Sequence, residues 1–320
     1  MKSSHVTVMG IFAADLCFRT QRLPLWGETV IGGDFQLGPG GKGSNQAVAA
    51  ARLGGTVHFI SKVGADPFAE IARSIYREAG VHLDFLFTSS AHATGAAAII
   101  VDQSSGENAI VVAPGAATAL TVDDINQARA CIASSGCFMT QLELSVPLVE
   151  HGLRMAHSLG VPTILNPAPA CDLSDDLLGL CHYVTPNESE ASALTGLPVG
   201  TMSEIEAAAE ALLRRGPRHV VITLGARGAF VCSAKIKEHV SAFQAGPVVD
   251  TTGAGDAFNG GFAVGLSEGM SLIEATRFGC AVAGLSVTRP GTAPSMPSRA
   301  EADRLYQNRS NKETVTTPIE

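Results

Sequence analysis

The sequence predicts an α/β protein built on a mostly parallel, doubly wound sheet flanked by helices, with a small β-sheet lid. Three observations carry that expectation. Short β-branched apolar runs alternate with helix-period stretches through most of the 320 residues. The runs are apolar throughout, as strands covered on both faces are. Two segments, 15–37 and 94–113, break the rhythm and read as strands and turns with no helix between them.

Taken in order, VTVMGIF (6–12), VHFISKVG (57–64), CFMTQLEL (137–144), PTILNPA (162–168) and HVVITLG (219–225) are the strands of the body. Between them lie SNQAVAAARLG, PFAEIARSIYREAG, PLVEHGLRMAHSLG and EIEAAAEALLRRG, with the apolar spacing of helices that bury one face. This alternation is the pattern of a parallel sheet. Neither irregular segment can bury a core alone, so both are assigned to a flap on the body, the second as a hairpin tipped by SSGEN. A flap beside the C-terminal edge of a parallel sheet would exclude water from a site there. One domain is expected over 1–307, with the lid at 15–37 and 94–113. The polar tail 308–320 is expected to lack fixed structure.

A formal net charge of -8 argues against a general binder of nucleic acid or anionic membranes, which needs a basic surface. Any polyanionic ligand must be held by local donors. Seven cysteines, odd in number and without CxxC spacing, are expected to be reduced, with neither a disulfide framework nor a zinc site, and the nine histidines show no HExxH or paired ligand spacing. The N-terminal stretch has no signal-peptide core and no run is long enough to span a bilayer, so a cytoplasmic location is expected.

The strongest chemical signal is VVDTTGAGDAFNGG, 248–261. Gly253 and Gly255 free the backbone of residues 253–255 to turn several N–H groups toward one point. The helix that begins near Asp256 adds the positive end of its dipole. Such a turn is an anion hole for a phosphoryl group. Asp256 at its mouth is expected to stay ionised and to accept the proton of an attacking hydroxyl. A plain N-cap would also use an Asp, but would not need both glycines, Asp250 and Thr252.

GPGGKGSNQAVAAARLG (38–54) contains GxGxxG at Gly38, Gly40 and Gly43. On its own this is a weak dinucleotide fingerprint, since no suitably spaced acid follows on a second strand. Either it is a tight turn into a helix, or Gly40 and Gly41 let the backbone approach a small polar ligand while Lys42 and Asn45 bind its hydroxyls. TQLELS ends a strand at Glu143. TPNESEA (185–191) has capping-box spacing between Asn187 and Glu190, which suits a structural helix start or a phosphate and metal-water site equally. TLGARGA (223–229) is a turn that could flank a nucleotide.

With GGKGSNQAVAAARLG, QLE, NPAPA, TPNESEA, TLGARGA and DTTGAGDAFNGG in this order and spacing, from about Val6 to about Leu305, the chain resembles the ribokinase-like sugar kinases. One such motif is weak; six in order are specific. The resemblance implies transfer of the ATP γ-phosphoryl to a sugar's primary hydroxyl, with D-ribose and its 5-hydroxyl expected first. It implies Asp256 as base, with Gly253, Ala254 and Gly255 as anion hole. Asp15, Gly41, Lys42, Gly43, Asn45 and Glu143 would line the sugar pocket. Asn187, Thr223, Leu224, Gly225, Ala226, Arg227, Gly228 and Gly255 would lie along the nucleotide. Mg²⁺ would ride on the ATP phosphates, with Glu190 acting through water. SVTRPGTAPS (286–295) would join Asp250 and Thr252 in holding K⁺ through Ser286, Arg289, Gly291 and Ser295. The lid would often form a homodimer interface.

One departure stands out. The family pattern GSINxD has an Asn two residues before the pocket Asp, and here Ala13 takes its place in GIFAAD. A site lacking that group discriminates less against a deoxy sugar. A kinase for 2-deoxyribose, or for another pentose or a nucleoside, is therefore the alternative. Two other classes are weighed: a dinucleotide-dependent oxidoreductase, resting only on GxGxxG, and a non-catalytic sugar or nucleoside sensor, against which the intact Asp256 speaks.

Overall fold

A computed structural model describes residues 5–104 and 107–315, with side chains to 308. β1 (His5–Met9) leads through residues 10–12 into β2 (Ala13–Thr20). After an irregular stretch, β3 (Phe35–Gly40) runs into α1 (Lys42–Arg52), β4 (Thr56–Gly64), α2 (Pro67–Ala79), β5 (Val81–His82) and β6 (Leu86–Ser89). Next come β7 (Thr94–Asp102), β8 (Asn108–Gly115), α3 (Val122–Gln127), α4 (Arg129–Ser134), β9 (Cys137–Gln141), α5 (Val146–Ser158) and β10 (Thr163–Asn166). α6 (Asp175–Leu178), β11 (Tyr183–Val184), α7 (Glu188–Thr195), α8 (Met202–Arg214), β12 (His219–Thr223), β13 (Ala229–Ser233) and β14 (Lys237–Val240) follow. The chain ends with α9 (Ala254–Ser267), α10 (Leu272–Ser286) and α11 (Arg299–Val315).

The larger sheet has the order β14-β13-β12-β11-β10-β9-β1-β4-β5, with β6 also paired to β4. Every pair from β12 across to β5 is parallel, and only the pairs β12–β13 and β13–β14 are antiparallel. From β1 the chain winds outward to β4 on one side and later to β9 and β10 on the other. The winding direction therefore reverses between β1 and β9, where Met9 lies opposite Thr140. Ligands of open α/β sheets bind outside the strand ends at such a reversal.

Burial follows the period of two. Cys137 and Met139 of β9 pack with the alanines of α1 and with α9 and α10, whereas Phe138 between them packs with Val149 and Leu153 of α5. Small residues let the helices on the first face close up. A Cβ on Gly260 of α9 would stand 2.5 Å from Ala49 Cβ of α1, so only glycine permits that approach.

The smaller sheet has the order β3-β2-β7-β8. It occupies the two segments read as a flap, with one difference. Residues 21–34 form no strand, although TVI invites one, because Pro24, Gly27, Gly32 and Gly33 interrupt the run. Of the expected hairpin tip, residues 105–106 lie outside the described residues. The C-terminal segment also differs: α11 continues to Val315, past the expected boundary at 307. No proline or glycine falls between 299 and 315 to stop it. Residues 316–320 of the expected tail lie outside the described residues. No helix among the described residues is long and apolar enough to cross a membrane.

Candidate active site

The site is built around the first turn of α9. Gly253 is its N-cap with φ 78°, a left-handed conformation that a side chain would strain, and it contributes no side-chain cap. The first turn of a helix has no intrahelical acceptors for its N–H groups. Ala254 N–H is turned back to Thr251 O at 3.2 Å. No heavy atom outside the neighbouring residues lies within 4 Å of where a Gly255 Cβ would be, so the turn faces open space there.

Asp256, in the same turn, is buried. Asn45 Nδ2 donates to its Oδ2 at 2.9 Å and Gln46 Nε2 donates to its Oδ1 at 3.0 Å. The close α1–α9 contact at Gly260 is what brings these amides to the carboxylate. Burial pushes the Asp256 pKa up, against the Lys42 charge and the two amide hydrogen bonds. Burial thus acts on this group against the helix dipole that the sequence pointed to, and a raised pKa makes the carboxylate the better proton acceptor.

Around it gather the residues of the first glycine cluster and its neighbours. Gly41, with φ 90°, turns the chain into α1; a Cβ there would strike Ile11 O at 2.6 Å. Lys42 N–H donates to Glu143 Oε2 at 2.8 Å, tying α1 to the end of β9. Gly43 passes so close to Gly10 that a Cβ on either would lie within 2.8 Å of the other's Cα. Gly40 leaves room for Asp15, whose carboxyl carbon would be 2.3 Å from a Cβ at position 40. Burial, then the Asp256 charge, raises Asp15 to about 6. Burial raises Glu143 to about 7 against the pull of Lys42. Three carboxylates, from Glu143, Glu190 and Asp256, thus share one lysine, and Asp15 faces Asp256 beside them. Asn45 Oδ1 is buried with no hydrogen-bond partner, an acceptor facing this cluster without a donor.

Asn187 caps α7, accepting from Glu190 N–H at 2.8 Å, while Glu190 Oε2 accepts from Asn187 N–H at 2.8 Å. Both readings of that motif survive, because Glu190 is buried and feels Lys42 and Asp256 as well as its cap; burial raises its pKa. Thr223 lies beside Asn187 through Thr223 N–H to Pro186 O at 2.9 Å. Gly225 (φ 54°) and Gly228 (φ 99°) turn the chain after it, leaving Gly225 and Ala226 exposed and Leu224 buried. Arg227 pairs with Glu188. These residues form one open shelf that meets the Asp256 cluster at Glu190.

The third group braces the loop before α9. Asp250 accepts from Thr252 N–H at 2.9 Å and from Gly291 N–H at 3.0 Å. Burial opposes its charge, but the Thr252 hydroxyl and these N–H groups outweigh it and hold the pKa low. Ser295 and Ser286 are buried, Arg289 N–H bonds Ser286 O, and Thr292 packs on Gly253. The Asp250 carboxylate, held ionised by N–H groups, and the nearby serine hydroxyls are hard oxygen donors of the kind that suit a hard cation.

Sequence reasoning missed a chain of buried amides. Gln141 Nε2 donates to Gln46 Oε1, and Gln46 Nε2 also donates to Asn166 Oδ1 at 3.0 Å. Asn166 Nδ2 reaches Thr185 O, Thr185 Oγ1 donates to Asn259 Oδ1 at 2.6 Å, and Asn259 Nδ2 donates to Gly255 O at 2.8 Å. This network spans three strand ends and two helices and returns to the turn at Gly255. The available signal was a polar residue inside an otherwise small and apolar helix: Gln46 in α1, Asn259 in α9.

Comparison with known proteins agrees with this geometry. The family described as pfkB family carbohydrate kinase matches residues 3–299. Ribokinase of Haemophilus influenzae is 43% identical over 296 residues, covering 92% of this chain and 96% of that protein. Deoxyribokinase of Salmonella typhimurium is 35% identical over 294 residues, covering 92% and 95%. The structure of Arabidopsis thaliana ribokinase complexed with ribose and ATP superposes with a TM-score of 0.87 at 32% identity, covering 96% of this chain and 99% of that one.

Proposed function

The chain belongs to the pfkB family of carbohydrate kinases, and from that premise we propose that it transfers the γ-phosphoryl group of ATP to the primary 5-hydroxyl of D-ribose. One observation carries the reading: the Asp256 carboxylate is fixed by two amides at the mouth of a helix whose first turn is uncapped. A sugar hydroxyl beside Asp256 would lose its proton to the carboxylate as its oxygen attacks phosphorus. The bond to the ADP leaving oxygen breaks, and the charge on the transferred group is met by the N–H groups at 253–255. Asn45 Oδ1 would accept from a sugar hydroxyl, and Asp15 and Glu143 would bind others. The shelf of Asn187 and residues 223–228 suits the nucleotide.

Both Glu190 oxygens already accept from Asn187, which suits contact with a hydrated Mg²⁺ more than direct ligation. Mg²⁺ on the phosphates would supply charge neutralisation. A K⁺ held by Asp250, Thr252, Ser286, Arg289, Gly291 and Ser295 would brace the 250–253 loop electrostatically. The small sheet would cover the sugar and pair with a second copy, because Phe18, Phe35, Leu37, Ile110, Val111 and Val112 are exposed on it.

Ala13 favours a second substrate. It precedes Asp15 by two residues on β2, so the two side chains share a face, and a methyl group there makes no hydrogen bond. The test is catalytic efficiency for ribose and 2-deoxyribose, with ATP, with and without K⁺. A clear preference for ribose supports the first reading. Equal or better use of 2-deoxyribose assigns the second, and no turnover on either overturns both.

A further inference from the structure

At the N-terminal edge of the larger sheet, roughly 13 Å of strand from the catalytic edge, imidazoles from three neighbouring strands stand side by side. His5 opens β1, His58 lies in β4, and His82 of β5 is in register with His58. Ring centroids are 4.9 Å apart for His5 and His58, and 4.4 Å for His58 and His82. Cys131 of α4 brings its Sγ to 3.6 Å from His5 Nε2. One donor atom from each of His5, His58 and Cys131 lies within 4.8 Å of the other two.

A tetrahedral ion with metal–sulfur bonds of about 2.3 Å and metal–nitrogen bonds of about 2.0–2.1 Å holds those ligands roughly 3.6 Å apart. Cys131 and His5 already stand at that separation. The other His5 nitrogen, Nδ1, is 3.3 Å from Ser134 Oγ, a partner able to fix the tautomer that leaves Nε2 toward the thiol. His58 Nδ1 is buried with no hydrogen-bond partner, and the Asp84 carboxylate approaches it only to 3.5 Å.

We propose that His5, His58 and Cys131 form a site for a zinc-class divalent cation, with water completing a tetrahedron. The proposal is independent of the sugar-kinase reading. A histidine ligates a metal through the lone pair of a neutral ring nitrogen, and a cysteine ligates as the thiolate. A metal–sulfur bond forms as the S–H bond breaks, its proton goes to solvent, and no electron is transferred. The sequence showed no ligand spacing because the three residues come from three separate elements.

The test is titration of the metal-stripped full chain with Co²⁺, following thiolate-to-cobalt charge transfer and tetrahedral d–d absorption. The expected result is one equivalent bound with both bands, and about one proton released per ion. Cys131→Ser should abolish the charge-transfer band, and His58→Gln should weaken binding at least about tenfold. Cys171→Ser, which changes an exposed thiol, should change nothing. Far-UV circular dichroism and thermal unfolding verify that each variant is folded, and His58→Gln decides alone should Cys131→Ser be insoluble. Absence of the charge-transfer band overturns the proposal. So does a band that survives Cys131→Ser, or binding abolished by His82→Gln but unaffected by His58→Gln.

Discussion

Two kinds of helix start in this protein stand in contrast. α3, α7, α8 and α10 each open with a reciprocal capping box, at Thr121, Asn187, Thr201 and Ser271. α1 and α9 open on glycines with positive φ and no side-chain cap. In a capped helix the orphan N–H groups are satisfied locally, so the end contributes stability and little else. At α1 the donors go to distant parts of the chain, Lys42 N–H to Glu143 and Ser44 N–H to Ile11 O. At α9 the turn around Gly255 faces open space. The two uncapped ends lie together in the site. Variants of capped ends should therefore change stability, and variants at α9 should change rate.

The largest effect should come from Asp256→Asn. It keeps the shape of the side chain but removes the proton acceptor, so kcat should fall by about 10²–10⁴-fold with sugar binding retained. Steady-state kinetics together with sugar-binding calorimetry check this. Near-normal turnover would mean that the open end of α9 is not where the base sits.

Next in size is Asn259→Ala, which cuts the amide chain at its contact with Gly255 O and Thr185. Loss of a buried hydrogen-bonding pair costs about 2 kcal/mol, or roughly 30-fold if it is felt in the transition state. The expected signature is a lower kcat with an unchanged KM for the sugar. A fall in Tm with unchanged kcat would show the network to be structural only.

The legibility of this site in the sequence divides along the same line. The body strands could be read because they are apolar on both faces, with Val8, Phe59 and Ile164 on one and Met9, Ile60 and Leu165 on the other, a local property. The anion-hole turn could be read because glycine, glycine and Asp256 sit within a few residues of one another. Gln46, Asn166 and Asn259 could not, since their partners lie across the chain and meet only through the α1–α9 contact at Gly260. The protonation tendency of Asp256 was illegible for the same reason: the local dipole argues for a charge, and burial supplied by the fold argues against it. The three-residue cluster at the far edge is likewise a product of the fold, which brings β1, β4 and α4 together.

A smaller effect separates function from stability within the site itself. Asp15 has a folded pKa near 6 against an ordinary value of 3.8. A carboxyl raised in the folded state binds more protons there than in the unfolded chain, so stability falls as pH rises between those values. Asp15→Asn removes this penalty. Its Tm should exceed that of the parent by roughly 4 °C at pH 8, and the gain should shrink as pH falls from about 6 toward 4. Thermal unfolding across that range checks the sign, and a gain that grows toward acid would contradict the burial argument.

The smallest effect should come from the capped start of α8, which meets the shelf only through Gly200 O, 3.4 Å from the Arg227 guanidinium. Thr201→Ala removes the side-chain acceptor of Glu204 N–H at the start of α8. The loss should be about 1 kcal/mol, seen as a Tm lower by roughly 2–4 °C, with kcat and both KM values unchanged. The mechanism is local, because the box at α8 is exposed and its donors reach no ligand. Asn187→Ala sharpens the point, since Asn187 caps α7 in the same way but stands on the proposed nucleotide shelf. It should show a similar loss of Tm together with a raised KM for ATP. If Asn187→Ala behaved as Thr201→Ala does, with stability alone affected, the shelf would not hold the nucleotide and α7 would join the purely structural helix starts.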